Sequence, residues 1–223
     1  MGFGIYEFYR WFQPGFRQQR TRMFLDTFRP NAQTRILDVG GLVSIWIHEM
    51  PVESSVTCLN PDFYPVPPGA PERYRSLKGD GRSMDFPDRS FDIVCSNSTI
   101  EHVGGWSDQQ QFAAEIRRVG KQYFVQTPNR WFFVEPHFIS PFIHFLPRSW
   151  SRKLLPWLSL RAFIRHGDNR DLRELANELR LLSYRELRTL FPDAEIYREK
   201  WFGLTKSFIA IRRLHHHKQD TAR

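Results

Sequence analysis

The chain is poor in cysteine, and its cysteines are not spaced to form a framework. Its 223 residues include two, Cys58 and Cys95, each inside an apolar run typical of a strand. We therefore expect both to be reduced core residues rather than a disulfide. No Cys/His spacing typical of a metal site occurs, and the three histidines 215–217 fit a solvated tail better than a metal site. We predict no metal.

Long apolar runs are also missing. The N-terminal stretch has neither the basic start nor the long apolar core of a signal peptide. No segment is long and apolar enough to cross a bilayer. We therefore predict a cytoplasmic protein, with peripheral contact at a membrane surface left open.

Acidic residues are outnumbered by basic ones. Lys and Arg total 32 against 24 Asp and Glu, a formal net charge of +8, and arginine dominates the basic set. Such a balance favours anionic partners such as RNA, a membrane surface or an acidic small molecule. A soluble protein that is basic without any of these partners remains an alternative.

What the chain does have is a strand followed by two glycines, in the stretch RILDVGG from Arg35 to Gly41. Its apolar residues predict a buried central strand, with Asp38 near its C-terminal end. Paired glycines after a strand allow a sharp turn and a close approach to a ligand. A plain strand, turn and helix with no ligand would show the same seven residues.

Further apolar runs predict four more strands, with helices between most of them. The predicted strands start at Val56, Tyr74, Phe91 and Tyr123. The proline-rich stretch 61–71 excludes a full crossover helix between the second and third strands. Ser107 is a suitable N-cap for a helix that runs to Val119, with Phe112, Ala113 and Ile116 facing inward; Gly120 ends it.

The two ends of the chain complete a single predicted domain, 1–223. Residues 4–29 predict an amphipathic helical cover (1–30), broken at Pro14-Gly15, and residues 128–182 an insertion of short helices and aromatics. A helix capped by Ser183 and a hairpin of 195–201 with 205–212 follow, and 214–223 reads as a disordered tail. The fold class is therefore α/β: a doubly wound, mostly parallel, Rossmann-like sheet with an antiparallel C-terminal hairpin.

Polar residues recur where each predicted strand ends. In a doubly wound sheet, ligands bind outside the C-terminal strand ends, so these residues predict one polar rim. Any single one of them could instead be a helix cap or a turn residue. The rim consists of Asp38, Gly40 and Gly41; Asn60; Asp80 and Gly81; Ser96 and Asn97; and Thr127, Pro128 and Asn129.

From about Thr34 to Arg213 the chain resembles small class I S-adenosylmethionine-dependent methyltransferases of the type 11 kind. The most specific stretch is GDGRSMDFPDRSFDIVCSNSTIEHV, residues 79–103, which resembles the family pattern G-D-A-x-x-L-P-F-x-D-x-S-F-D-x-V. The ending GLTKSFIAIRR resembles the family's last hairpin. The resemblance implies the Rossmann-like fold and S-adenosylmethionine as cofactor.

The resemblance also implies roles at the methionine end of that cofactor. Asp38 and Gly40 match the first motif, which contacts the methionine part, and Gly41 follows in the same loop. Ser96 and Asn97 would lie beside the methionine part, near the methyl group that is transferred.

At the adenosine end, Asn60 matches the acid that holds the ribose hydroxyls in the family. Asp80 would take the adenine amino group, and the Gly81 amide would face a ring nitrogen. The chain departs from the family in having Asn60 in place of that acid, and Leu42 and Ser44 in place of later glycines. These departures leave a non-catalytic relative, a sensor or scaffold, as an alternative.

Two histidines are catalytic candidates, His102 and His137. IEHV resembles the E-x-x-E-H metal motif of quinone and small-RNA methyltransferases, but Ser98 replaces its first acid and leaves Glu101 with His102. His102 also fits a helix-start residue near the pocket. His137 follows the fifth strand, where the family's acceptor site lies, and could take a proton from a hydroxyl nucleophile. The alternative is that it pairs with Glu135.

The predicted function is methyl transfer from S-adenosylmethionine to a small or lipid- or sugar-linked acceptor. The insertion mixes aromatic and basic residues, as in an amphipathic cover over such a molecule, which could touch an anionic membrane. RNA methylation is the alternative, through basic charge and aromatic stacking, although no RNA-binding module is appended. No obligate protein partner is evident from the sequence.

Overall fold

The computed structural model describes residues 5–50, 52–132, 134–135, 140–141 and 179–214, with side chains from residue 15 onward in the first helix. The predicted fold class is confirmed: the described residues form a seven-stranded, mostly parallel sheet with helices around it. Its strand order is β3-β2-β1-β4-β5-β9-β8. His137 lies outside the described residues, as do most of the predicted insertion and most of the tail.

The parallel part of the sheet consists of five strands. They are β1 (Arg35–Val39), β2 (Ser55–Asn60), β3 (Tyr74–Lys78), β4 (Phe91–Asn97) and β5 (Gly120–Pro128). All four pairings among them are parallel, with β1 between β2 and β4. The order reverses at β1, so the C-terminal ends of β1 and β4 flank the position where such sheets bind ligands.

The predicted hairpin is confirmed as β8 (Glu195–Trp201) and β9 (Leu204–Arg212), with β9 antiparallel to both β5 and β8. Two short strands, β6 (Val134–Glu135) and β7 (Ser140–Pro141), pair apart from the main sheet. Because Pro128 lies opposite Ser207, the start of β9 and the hairpin turn extend beyond the end of β5. The turn therefore lies at the edge of the sheet where ligands are expected.

The helices are α1 (Ile5–Phe28), α2 (Val43–His48), α3 (Trp106–Val119) and α4 (Tyr184–Leu190), with a 3-10 turn at Ile100–His102. The predicted break of the first helix at Pro14-Gly15 is wrong, since α1 runs through both residues. A proline removes one backbone hydrogen bond and bends a helix without having to end it. The predicted cap of α3 is also misplaced: Gly105, not Ser107, precedes its first turn.

Two apolar cores lie on the two faces of the sheet. On one face α3 and α4 bury Phe112, Ile116 and Leu187. On the other face α1 and α2 bury Phe24 and Trp46, whose rings meet edge to face at 5.8 Å between centroids. The α1 helix therefore packs against α2 next to the C-terminal end of β1. None of the helices within the described ranges has the length and apolar character needed to span a membrane.

Candidate functional site

The first part of the site is the turn after β1. Gly40 has φ +88°, and a Cβ there would lie 2.2 Å from the hydroxyl oxygen of Thr99. Gly41 has an ordinary φ, but a Cβ there would lie 1.7 Å from a carboxylate oxygen of Asp38. The turn therefore needs both glycines for different reasons: Gly40 for backbone conformation and Gly41 for space beside the carboxylate. Leu42, where the family pattern has a later glycine, takes the N-cap position of α2.

Asp38 is a buried carboxylate with two hydrogen-bond partners. The indole nitrogen of Trp46 donates to its Oδ2 at 2.7 Å, and the Cys95 thiol is a second partner. Burial raises the pKa of Asp38 to about 6, although both hydrogen bonds act in the opposite direction. A negative charge held in so little water favours a cationic group nearby.

Asn60 lies at the end of β2 and is 6% exposed. Its amide nitrogen donates to the Gly41 carbonyl oxygen at 2.7 Å. The side chain therefore ties the end of β2 to the glycine turn after β1. A ribose-binding role for the remaining amide oxygen stays a prediction.

Asp80 and Gly81 follow β3 and form a second polar group. The Asp80 carboxylate is paired with Arg82, which also reaches Asp108 in the first turn of α3 at 3.0 Å. The Arg82 hydrogen bonds hold the pKa of Asp80 below its usual value. Gly81 packs so closely that a Cβ would lie 2.6 Å from Phe112 and 2.8 Å from Val39. If Asp80 binds the adenine amino group as predicted, its carboxylate must accept hydrogen bonds from both that amino group and Arg82.

Ser96 and Asn97 are the last residues of β4, not the first residues after it. The Ser96 side chain is buried, and its hydroxyl oxygen has no hydrogen-bond partner within the described part of the chain. Buried polar groups are nearly always satisfied, so this hydroxyl is available to bond to a ligand in the pocket. Asn97 is exposed, and its amide oxygen accepts a hydrogen bond from Arg20 at 2.8 Å.

A pocket between α1, α2 and the strand ends brings five of the predicted residues together. It is lined by Asp38, Gly40, Gly41, Ser96 and Asn97, with Cys95 and Phe124 from the sheet, Ile45, Trp46 and Met50 from the α2 region, and Arg17, Arg20, Thr21 and Phe24 from α1. Asn60, Asp80 and Gly81 are not among its lining residues. Asn60 and Gly81 nevertheless contact Gly41 and Val39, so they flank the same strand end.

Of the two histidine candidates, His102 lies outside this pocket, and His137 is not among the residues that the structure describes. His102 is half-buried at the end of the 3-10 turn, and it does not line the pocket. The preceding Glu101 is fully buried and accepts a hydrogen bond from the Thr127 hydroxyl at 3.1 Å. In the described ranges no group of three or more His, Cys, Asp or Glu is placed to hold a metal ion.

Sequence reasoning missed the contribution of α1 to the site. Arg17 and Arg20 reach the pocket from α1, and Phe24 packs behind them. Their spacings of three and four residues place all three on one helix face, as the printed sequence shows. The predicted amphipathic cover contained this signal, but which strand ends the helix would face could not be read from the chain.

The geometry fits S-adenosylmethionine on three counts. The two glycines line the pocket with bare backbone, Asp38 favours a cation, and the Ser96 hydroxyl has no partner within the described part of the chain. The cofactor carries a sulfonium and an amino group on its methionine part, both cationic. The pocket would therefore hold the methionine end, and the group around Asn60 and Asp80 would hold the adenosine end.

Comparison with known proteins matches part of the chain to a family model. Residues 37–123 match the family model of a methyltransferase domain. A search of curated proteins found no match.

Three solved structures show how far the fold extends. A putative zinc-dependent alcohol dehydrogenase from Rhodobacter sphaeroides is 14% identical, with 88% of this chain and 90% of that one covered and a TM-score of 0.53. A chain from the complex of a methyltransferase activator and a putative methyltransferase of Haloferax volcanii is 14% identical, with 90% and 92% covered and a TM-score of 0.51. A putative O-methyltransferase from Nostoc punctiforme is 12% identical, with 88% of this chain but 55% of that one covered and a TM-score of 0.51.

At these identities the structural likeness shows the fold alone. The family assignment rests on the matched segment 37–123, which contains the glycine turn, Asn60, Asp80 and the end of β4. S-adenosylmethionine is the cofactor of that family. Over residues 37–123 the chain thus matches a methyltransferase domain, which supports its resemblance to class I S-adenosylmethionine-dependent methyltransferases.

Proposed function

We propose that the protein transfers a methyl group from S-adenosylmethionine to a small or lipid- or sugar-linked acceptor. The observation that carries the proposal is the pocket at the ends of β1 and β4. There a buried carboxylate, two required glycines and a buried hydroxyl with no partner in the described ranges converge.

The cofactor, when bound, supplies an activated methyl group on a sulfonium. The chain's own residues then have to bind, orient and exclude water. Asp38 would attract the cationic methionine part, and the Ser96 hydroxyl and Asn97 amide would fix its orientation. Phe24, Trp46 and Phe124 make the wall behind them apolar, which keeps water out.

The acceptor class is supported by the exposed aromatic surface at the same edge of the sheet. Trp131 follows β5 and is 65% exposed; Phe202, in the hairpin turn, is 81% exposed, and Leu204 beside it is 54% exposed. The ring of Trp201 packs against the ring of Phe202, with centroids 5.3 Å apart. A surface of this kind next to the site suits an amphiphilic acceptor, whose apolar part it can contact.

RNA is the second candidate, because Arg130 lies over the Trp131 ring, with its guanidinium carbon 5.6 Å from the centroid. Arginine and aromatic faces together also bind single-stranded bases. The two candidates differ in where transferred methyl groups accumulate.

The test is methyl transfer from radiolabelled S-adenosylmethionine in a cell extract, followed by separation into lipid, small-molecule, RNA and protein fractions. We expect label in the lipid or small-molecule fraction with the wild-type protein. The Asp38→Asn variant should incorporate much less label. Label confined to RNA would replace the proposed acceptor, and S-adenosylmethionine that fails to bind the folded protein by calorimetry would overturn the proposed function.

A further inference from the structure

Arg20 connects three separate parts of the chain at the rim of the pocket. It extends from α1, and its Nη1 donates to the Asn97 side-chain oxygen at the end of β4 at 2.8 Å. Its Nε and Nη2 donate to the two carboxylate oxygens of Glu199 in β8, at 2.9 and 3.0 Å. The guanidinium is therefore held by a two-pronged ion pair on one side and faces the site on the other.

This ion pair lies in a buried network. The side chains of Arg20 and Glu199 are 15% and 3% exposed. The Ser207 hydroxyl also donates to Glu199, and the Lys206 ammonium lies 3.9 Å from it. Two-pronged pairing of a planar guanidinium with a carboxylate fixes direction as well as distance. Arg20 therefore has one well-defined orientation.

The orientation of Arg20 determines which end of the Asn97 amide faces the pocket. A guanidinium can only donate hydrogen bonds, so the atom of Asn97 that meets it must be the carbonyl oxygen. The NH2 group then points away from Arg20. No hydrogen bond from that NH2 group occurs among the residues that the structure describes, and Asn97 lines the pocket.

Ser96 lines the same pocket, and its hydroxyl is buried and has no partner within the described part of the chain. Ser96 and Asn97 are consecutive residues of one strand and both line the pocket. Both can donate a hydrogen bond. Two donors in the lining of one pocket suit an anionic oxygen such as a carboxylate.

We propose that Arg20, held by Glu199, is a positioning residue that keeps Asn97 turned so that its NH2 group binds the carboxylate of the cofactor's methionine part. Arg20 and Glu199 both lie outside residues 37–123, the segment that matches the methyltransferase domain. The inference rests on the proposed function, because it assumes that the pocket holds that cofactor.

The test uses two probes that share an adenosine and a thioether. S-adenosylhomocysteine also carries an ammonium and a carboxylate, and methylthioadenosine lacks both. Only the carboxylate can accept a hydrogen bond from the Asn97 NH2 group, since an ammonium has no acceptor. Calorimetry should show that Arg20→Met weakens S-adenosylhomocysteine about tenfold or more, the scale of a lost hydrogen bond to a charged group. The dissociation constant of methylthioadenosine should change by less than about threefold. A merely structural role for Arg20 would weaken both probes alike, and that result would overturn the proposal.

A double-mutant cycle with Asn97→Ala separates positioning from direct contact. If Arg20 acts through Asn97, the double variant should bind S-adenosylhomocysteine about as weakly as Asn97→Ala alone. If Arg20 itself touched the carboxylate, the two losses would add, and the positioning role would be overturned.

The matched control is Arg22→Met, which removes an exposed arginine from the same helix. It should leave both dissociation constants unchanged. If Arg20→Met proves unstable by thermal melting, Glu199→Gln serves as a second variant. It weakens the ion pair while retaining the size of the side chain, and should give the same selective loss on a smaller scale. If the wild-type protein binds neither probe, that result would refute the proposed function rather than this inference.

Discussion

The two ends of the candidate cofactor site are built from similar charges in opposite surroundings. At the methionine end, Asp38 is 8% exposed and Glu199 is 2% exposed. At the adenosine end, the Asp80 side chain is 46% exposed and its partner Arg82 is 38% exposed. Since water screens the second pair and hardly reaches the first two groups, the same chemical change should have very different consequences at the two ends.

Two buried carboxylates, Asp38 and Glu199, have pKa values shifted in opposite directions. The pKa of Asp38 rises to about 6 because desolvation exceeds its hydrogen bonds. Burial would likewise raise the pKa of Glu199, but Arg20, Ser207 and Lys206 together hold it below the usual value. A buried carboxylate with a cation close by is thus stabilised in its charged form, whereas one without is poised to accept a cationic ligand.

The largest effect should come from removing the Glu199 carboxylate. Glu199→Ala leaves Arg20 and Lys206 as buried charges without their counter-ion. Breaking a buried pair in this way costs about 3–5 kcal/mol of unfolding free energy. Urea denaturation measures it, with Glu195→Ala as the control, since that residue pairs on the surface. A change below about 1 kcal/mol would show that water reaches the pair.

The next effect has the opposite sign. Asp38→Asn removes a charge whose pKa is raised on folding from 3.8 to about 6, a shift worth about 3 kcal/mol. Stability from the protonated form is fully present below pH 4 and lost as pH rises through 6. The variant should therefore be more stable than wild type at pH 7 and about equal to it near pH 4.

Chemical denaturation across pH 4 to 8 checks this difference. The same variant should bind S-adenosylmethionine less tightly, since the pocket has lost its negative charge. A wild type whose stability, relative to the variant, does not fall between pH 4 and 6 would contradict the buried-charge explanation.

A smaller effect is expected at the glycine turn between the two ends. Gly41→Ala places a Cβ against Asp38, which cannot withdraw without losing its bond to Trp46. Overpacking of this kind costs about 1–3 kcal/mol. Gly15→Ala is the control, because nothing lies within 4 Å of a Cβ there. Thermal melting should show a lower melting temperature, and calorimetry a weaker cofactor affinity, for Gly41→Ala. Neither quantity should fall for Gly15→Ala.

Much of the fold was predictable because the patterns that encode it are local. The apolar run of β1, the Ser183 cap of α4 and the hairpin of β8 and β9 were each visible in a few neighbouring residues. The continuity of α1 through Pro14 and Gly15 was not predictable, since it depended on whether the helical turns on both sides of the proline persist.

Of the candidate site, only the residues at the ends of strands within the matched segment 37–123 were predictable. Asp38, Ser96 and Asn97 follow from their positions at strand ends, and they line one pocket. The pair of Arg20 with Glu199 joins residues 179 positions apart in the chain, and no local pattern links them. Likewise, the sequence did not reveal that Arg82 donates hydrogen bonds to both carboxylate oxygens of Asp80, because it does not show which charges pair.

The smallest effect should be found at the adenosine end, for Arg82→Gln. The pair with Asp80 has a distance of 2.7 Å, shorter than the pair of Arg20 with Glu199, so distance alone would rank it first. Exposure reverses that order, because exposed pairs contribute only about 0.2–1 kcal/mol and are weakened by salt. Urea denaturation at low and high salt should show a small loss that shrinks as salt rises. A loss as large as that of Glu199→Ala, and insensitive to salt, would mean that the two ends of the site do not differ in their access to water.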